Sequence, residues 1–173
     1  RTHPKHPILV AVPVTATVIT FNEATNIKAA LESLSWVDEI VVVDSESTDD
    51  TVAIARRFTD RIIVRPWPGY VEQKNFAAAQ ASHDWIFSLD ADERVTRELA
   101  RELTALIKRG PAVAGYRVPR LTFHLGRWIR STDWYPDYQL RFYDRRKGRW
   151  QGRYVHESVT VEGQVEDLQG ELQ

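Results

Sequence analysis

Two short apolar runs that end on carboxylates constrain the fold of this chain more than any other feature. Ile40-Val41-Val42-Val43 stops at Asp44, and Trp85-Ile86-Phe87-Ser88-Leu89 stops at Asp90-Ala91-Asp92. Continuous apolar runs of this length suit parallel strands covered on both faces. Helical spacing surrounds them. Thr25 is placed as an N-cap ahead of Ile27, Leu31 and Leu34, which share one helix face. Ser47-Thr48-Asp49-Asp50 has capping-box spacing and predicts a helix reaching about Phe58. Ile62-Ile63-Val64 reads as a third strand. Pro66-Trp67-Pro68-Gly69 breaks the chain before an alanine-rich helix over 71–81. Val95, Leu99, Leu103 and Leu106 mark a further helix. With a first strand over 15–20, strands and helices alternate through residues 15–110. That alternation predicts an α/β fold, a mainly parallel open sheet with helices on both faces.

The remainder has a different character. From residue 115 to 154 the helical pattern stops, and ten of the 18 aromatic residues fall in these 40 positions. Ten arginines and lysines stand there against Asp133, Asp137 and Asp144, a local balance of +7 hidden within a net charge of −1. A late strand is expected over 155–161 and a polar edge over 163–173. At 173 residues the chain is expected to form a single domain over 1–173, with halves at 15–110 and 111–173. Cysteine is absent, which excludes disulfides, zinc–thiolate sites and a cysteine nucleophile and fits a reducing compartment. No apolar run is long enough to span a membrane, and no signal peptide is visible. Methionine is absent even at position 1, so the chain reads as a trimmed piece.

In open α/β sheets ligands bind beyond the carboxyl ends of the strands. Three acidic features fall there: Glu23 in Phe21-Asn22-Glu23, Asp44, and the Asp90/Asp92 pair. Each alone is an ordinary turn or cap residue. Together, like charges on one edge call for a divalent cation and cationic surroundings. Carboxylates one residue apart suit magnesium or manganese, which complete their shells with phosphate oxygens. No Gly-x-Gly-x-x-Gly, no Gly-Lys-Ser/Thr and no Gly-x-Ser-x-Gly occurs, so dehydrogenase, P-loop and serine-hydrolase chemistries lose their main signatures.

The segments VTATVITFNEATNI, EIVVVDSESTDDT and GYVEQKNFAAAQASHDWIFSLDADE resemble, in order and spacing, the family 2 glycosyltransferases of GT-A fold. DWYPDYQLRFYDRRKGRW and VHESV are similar to the bacterial lipopolysaccharide-core branch, whose members are often glucosyltransferases. The resemblance implies a Rossmann-like donor half and an irregular C-terminal acceptor region that in family members runs on past Gln173, so that half is expected to be truncated at the C-terminus. It implies a metal-dependent inverting transfer of a hexose, glucose first among candidates, from a UDP-sugar to a saccharide or glycolipid such as lipopolysaccharide core. By that resemblance Thr20, Phe21, Glu23, Asp44, Ser45, Lys74, Asn75 and Asp90 would bind the nucleotide. Asp90 and Asp92 would hold manganese or magnesium, with His156 as a third ligand. The candidate general bases are Asp137, Glu157 and Asp133. Asp137 is favoured because Arg141 follows it, in a family whose base often starts a helix. Arg127, Arg130, Trp134, Arg141, Arg145 and Arg146 would receive an anionic acceptor. The location implied is cytoplasmic, with peripheral contact at the inner face of the membrane, and no nucleic acid is expected as partner.

Two other readings compete. A haloacid-dehalogenase-like phosphatase also uses Asp-x-Asp after a strand, but it wants threonine or valine where Arg94 stands. A non-catalytic nucleotide-sugar or nucleic-acid binding module would use the arginines and aromatics to neutralise phosphates and stack bases.

Overall fold

The computed structural model describes residues 10–130, 135–153 and 156–173. In chain order its elements are β1 (Val14–Thr20), α1 (Ile27–Glu32), β2 (Glu39–Asp44), α2 (Thr51–Ala55) and β3 (Ile62–Val64). Then come α3 (Tyr70–Gln80), β4 (Trp85–Asp90), α4 (Arg97–Arg109), β5 (Gly115–Arg120), β6 (Thr122–His124) and β7 (Arg127–Ile129). β8 (Asp137–Asp144), β9 (Gly148–Gln151), β10 (Ser158–Val161) and β11 (Val165–Asp167) complete it.

Seven strands form one sheet in the order β11-β5-β8-β4-β1-β2-β3. β1 is parallel to β2 and β4, β2 to β3, and β11 to β5, while β8 runs antiparallel between β4 and β5. The sheet is therefore mainly parallel, as the alternation predicts. On one face Val14, Ala16, Val18 and Phe87 pack against Ile27 and Leu31 of α1 and Leu99, Leu103 and Leu106 of α4. On the other, Val41, Val43 and Ile86 meet Ala77 and Ala78 of α3, and Tyr143, Trp150 and Val159 join them. Among the described residues no helix is long and apolar enough to cross a membrane.

Among its described residues the arginine-rich half is largely strand. Tyr116 and Val118 alternate with Arg117, and Phe142 and Tyr143 are fully buried on opposite faces, so β5 and β8 extend the same sheet. In β5 the strand period is interrupted by the exposed Arg117, and in β8 by the buried Arg141. The polar tail also does more than expected. β11 adds an edge strand, and Leu168 and Leu172 enter the core.

Three helix starts differ from expectation. Thr25 does not cap α1. Asn26 holds that position, and the N–H groups of Asn26 and Ile27 donate to the Glu23 carbonyl at 3.0 and 2.8 Å. The Ser47–Asp50 box does not form, because the Ser47 hydroxyl is drawn to Asp44 and α2 starts only at Thr51. Val95 lies before α4, where Thr96 accepts from the Leu99 N–H at 3.2 Å. The C-terminal segment crosses α4 at Gly170, where a Cβ would collide with the Leu99 Cα and approach its nitrogen to 2.6 Å. Gly170→Ala should therefore cost about 1–3 kcal/mol through backbone overpacking, read as a lower urea midpoint. An unchanged midpoint would mean that residues 168–173 are not docked.

Candidate active site

Because β1, β2 and β4 are parallel, their carboxyl ends share one edge of the sheet. β5 runs in the same sense as β4, so Arg120 ends there and Asp137 starts β8 there, the two being register partners. The loops after β1 and β2 are stitched together over this edge. The Asn22 N–H donates to Ser47 Oγ at 2.8 Å, and the Thr48 N–H to Asn22 Oδ1 at 2.8 Å. The Glu23 N–H donates to Thr51 Oγ1 at 2.9 Å. Asp44, fully buried, accepts from the Ser47 N–H at 2.8 Å and hydroxyl at 2.5 Å, so it braces the loop from below.

Two cavities open here. The first, about 610 Å³, is lined by Thr20, Phe21, Glu23, Ser45, Trp67, Tyr70, Lys74, Asp90 and Asp92, among others. The second, about 620 Å³, is lined by Arg117, Arg120, Tyr138, Trp150, His156 and Glu157 and shares Tyr70, Lys74 and Asp90 with the first. The shared residues form a common wall.

Asp90 sits at the centre of a charge network. Lys74 Nζ lies 3.1 Å from Asp90 Oδ1 and 4.0 Å from the centroid of the Trp150 ring. Arg141, 2% exposed, donates to Glu93 at 2.6 and 3.1 Å, to the Ser88 carbonyl at 3.1 Å and to Asp90 Oδ2 at 3.5 Å. Glu93 in turn accepts from the Asp90 N–H at 2.8 Å, which pins the turn. Burial works against ionisation of Asp90, but Arg141 and then Lys74 outweigh it and hold the carboxyl at about 2. Burial pushes the Glu93 carboxyl above its ordinary value against the pull of Arg141. Burial lowers Lys74, with Asp90 opposing. Buried charges persist only when paired in this way.

The expected nucleotide residues Thr20, Phe21, Glu23, Ser45, Lys74 and Asp90 converge on the first cavity. Thr20 Oγ1 is buried with no hydrogen-bond partner among the described residues, leaving a polar atom beside the cavity to be satisfied. Asn75 is a correction. Its amide accepts from the Trp150 N–H and donates to the Trp150 carbonyl, each at 2.9 Å, so it bolts β9 to α3 rather than facing a nucleotide. Asp92 is exposed and its carboxylate makes no bond to any described residue, while both Asp90 oxygens face cations. Asp92 is therefore the carboxylate of the pair that would be left to hold a hard cation. Among the described residues no three His, Asp or Glu side chains converge, so His156, although it lines the second cavity, does not complete a three-ligand cluster.

Asp137 begins a strand rather than a helix, and Arg120, at 2.7 and 3.0 Å, and Gln139, at 2.8 Å, occupy its oxygens. Glu157 lines the second cavity and has no hydrogen bond or ion pair to a described residue. Asp133 and Trp134 lie outside the described residues. Of the expected acceptor arginines, Arg141 lines the second cavity, where it is the buried counter-ion of Glu93. Two others lie elsewhere. Arg145 clamps the Ala78 and Ala81 carbonyls and Asp84, and Arg146 pairs with Asp144 and Asp84, at the opposite end of β4. Arg127 and Arg130 belong to the β6–β7 region and line neither cavity. Trp67, Tyr70, Arg117, Arg120, Tyr138 and Trp150 were missed. The Pro66–Gly69 break was the available signal for the first two, since prolines flanking an aromatic present it on a stiff turn.

The family model described as "Glycosyl transferase family 2" matches residues 15–161. The lipopolysaccharide core biosynthesis glycosyltransferase LpsC of Rhizobium meliloti (strain 1021) is 36% identical over 159 residues, covering 88% of this chain and 59% of LpsC. An uncharacterized glycosyltransferase of Rickettsia felis is 52% identical over 91 residues, covering 52% of this chain and 32% of its own length. The chain thus spans little more than half of the first of these relatives and a third of the second. Among solved structures, Staphylococcus aureus TarS 1-349 shares the fold with a TM-score of 0.54 at 24% identity, over 69% of this chain and 38% of its own. The mannosyltransferase PcManGT from Pyrobaculum calidifontis, solved with GDP-Man and Mn2+, gives a TM-score of 0.51 at 28% identity, over 67% and 39%.

Proposed function

The chain belongs to glycosyl transferase family 2, and from that premise we propose that it is an inverting transferase moving a hexose from a UDP-sugar to lipopolysaccharide core or a related glycan. The observation that carries this reading is the pair of cavities meeting at Tyr70, Lys74 and Asp90. The first takes the donor and the second the acceptor, so the sugar crosses at the shared wall. The similarity to LpsC supports the acceptor class, and glucose is the first hexose to test. The likeness to PcManGT supports a nucleoside-diphosphate sugar used with a divalent cation.

In the donor cavity Phe21 offers an aromatic face for the base, the Thr20 hydroxyl an unsatisfied polar atom, and Asp44 a loop held in shape. Lys74 faces the diphosphate, its charge kept by Asp90 and the Trp150 face. Asp92 would hold the divalent cation, which when bound offsets the charge of the leaving diphosphate. In the acceptor cavity Glu157 takes the proton of the acceptor hydroxyl. The hydroxyl oxygen bonds the anomeric carbon from the face opposite the diphosphate, and the bond from that carbon to the UDP oxygen breaks. Arg117, paired with Asp167, and Arg120, paired with Asp137, line this cavity and would meet phosphate or carboxylate groups on the acceptor by exchanging those partners.

A thermal-shift series tests the donor side. UDP with manganese should raise the melting temperature more than either alone, since selective binding stabilises the native state. In Asp92→Asn the manganese-dependent increment should vanish while the UDP-only shift remains. A GDP-sugar that outperforms every UDP-sugar would reassign the donor, and the absence of any nucleotide shift would sink the transferase reading.

A further inference from the structure

β6 and β7 form a hairpin in the register Thr122↔Ile129, Phe123↔Trp128 and His124↔Arg127. Its tip is Leu125-Gly126, with φ of +50 and +79. Two successive positive φ values are the mark of a tight hairpin turn normally filled by Asn-Gly. Leucine is poorly suited to that conformation, and here it is also 88% exposed. Folding therefore gains nothing from a leucine at this place. Phe123 and Trp128 stand exposed behind it, ring centroids 5.0 Å apart, and Arg127 is exposed beside them. Arg130, at the base, reaches Glu171 at 3.1 Å.

We propose that the tip of this hairpin docks on an anionic lipid bilayer, with Leu125, Phe123 and Trp128 entering the headgroup–acyl boundary and Arg127 meeting lipid phosphates. The shape decides against a small ligand, because ligand sites are concave and this is a projecting tip. A convex apolar tip removes its side chains from water when pressed into a fluid apolar phase. An aromatic pair with arginine alongside is the composition of an interfacial anchor, the arginine keeping its head at the polar layer. The hairpin begins one residue beyond Arg120, which lines the second cavity. Docking through it holds that cavity's edge near the membrane surface. The proposal does not rest on the transferase reading and has its own readout.

The test is co-sedimentation with vesicles of phosphatidylglycerol and phosphatidylethanolamine, with phosphatidylcholine as the neutral control. The wild-type chain should bind the anionic vesicles, and less as salt rises. Leu125→Asn should lower the partition coefficient about tenfold, the scale of one leucine's lost burial. Because asparagine accepts positive φ, its melting temperature should hold or rise, so lost binding is not lost folding. Arg127→Gln should weaken binding to anionic vesicles only. The proposal is overturned if the wild type ignores anionic vesicles or Leu125→Asn binds as well as the wild type. Leu125-dependent self-association without vesicle binding would also overturn it, assigning the tip to a second copy.

Discussion

Glu157→Gln should abolish sugar transfer, by about 10²–10⁴-fold, while UDP-sugar affinity is kept. The amide preserves size and hydrogen bonding but cannot accept the proton of the acceptor hydroxyl. Glu157 qualifies by position and by freedom, since it lines the cavity proposed for the acceptor and no described residue occupies its carboxylate. Asp137, the residue favoured from sequence, has both oxygens engaged by Arg120 and Gln139. Asp137→Asn should act on acceptor KM more than on kcat, because it releases Arg120 toward the cavity without removing a base. The measurement is UDP release from UDP-glucose with a lipopolysaccharide inner-core oligosaccharide, alongside calorimetric UDP-glucose binding. If Asp137→Asn eliminates kcat and Glu157→Gln does not, the two roles are exchanged.

Arg141→Met should lower stability by about 3–5 kcal/mol, the scale for removing one partner of a buried pair. The loss arises from what remains. Glu93 is buried with the Asp90 N–H as its other donor, and Asp90 keeps only Lys74. Urea unfolding followed by fluorescence reads it directly. Arg141→Met combined with Glu93→Gln should recover part of the deficit, since the second change removes the uncompensated charge. Were Arg141 instead an acceptor ligand, the single variant would unfold at the wild-type urea concentration and lose only acceptor affinity.

The network also explains how Asp90 is kept ionised. Its folded carboxyl titrates at about 2 against an ordinary value of 3.8. A depressed carboxylate adds stability that is complete above its unfolded value and is lost as pH falls through the folded one. Glu93, raised by burial, acts in the opposite sense and costs stability once pH exceeds its unfolded value.

The alternation of strands and helices over 15–110, the parallel pairing of β1, β2, β3 and β4, and the carboxylates at their ends were legible in the amino-acid order. These are local properties: apolar runs, turn residues and period are written within a few positions of one another. Family membership was legible for the same reason, as motifs are short segments in a fixed order. What each arginine does was not legible. Nine arginines between 115 and 154 look alike in sequence. Yet Arg141 meets Glu93 across 48 positions, and Arg145 meets Asp84 across 61. Asn75, placed by its motif beside a nucleotide, instead holds Trp150 across 75 positions. Only the tertiary structure brings such pairs together, and a charge reads as ligand or counter-ion by the desolvated partner beside it. The β6–β7 tip is the converse case. Its leucine is ordinary in the sequence, and only the folded backbone shows it at positive φ in water.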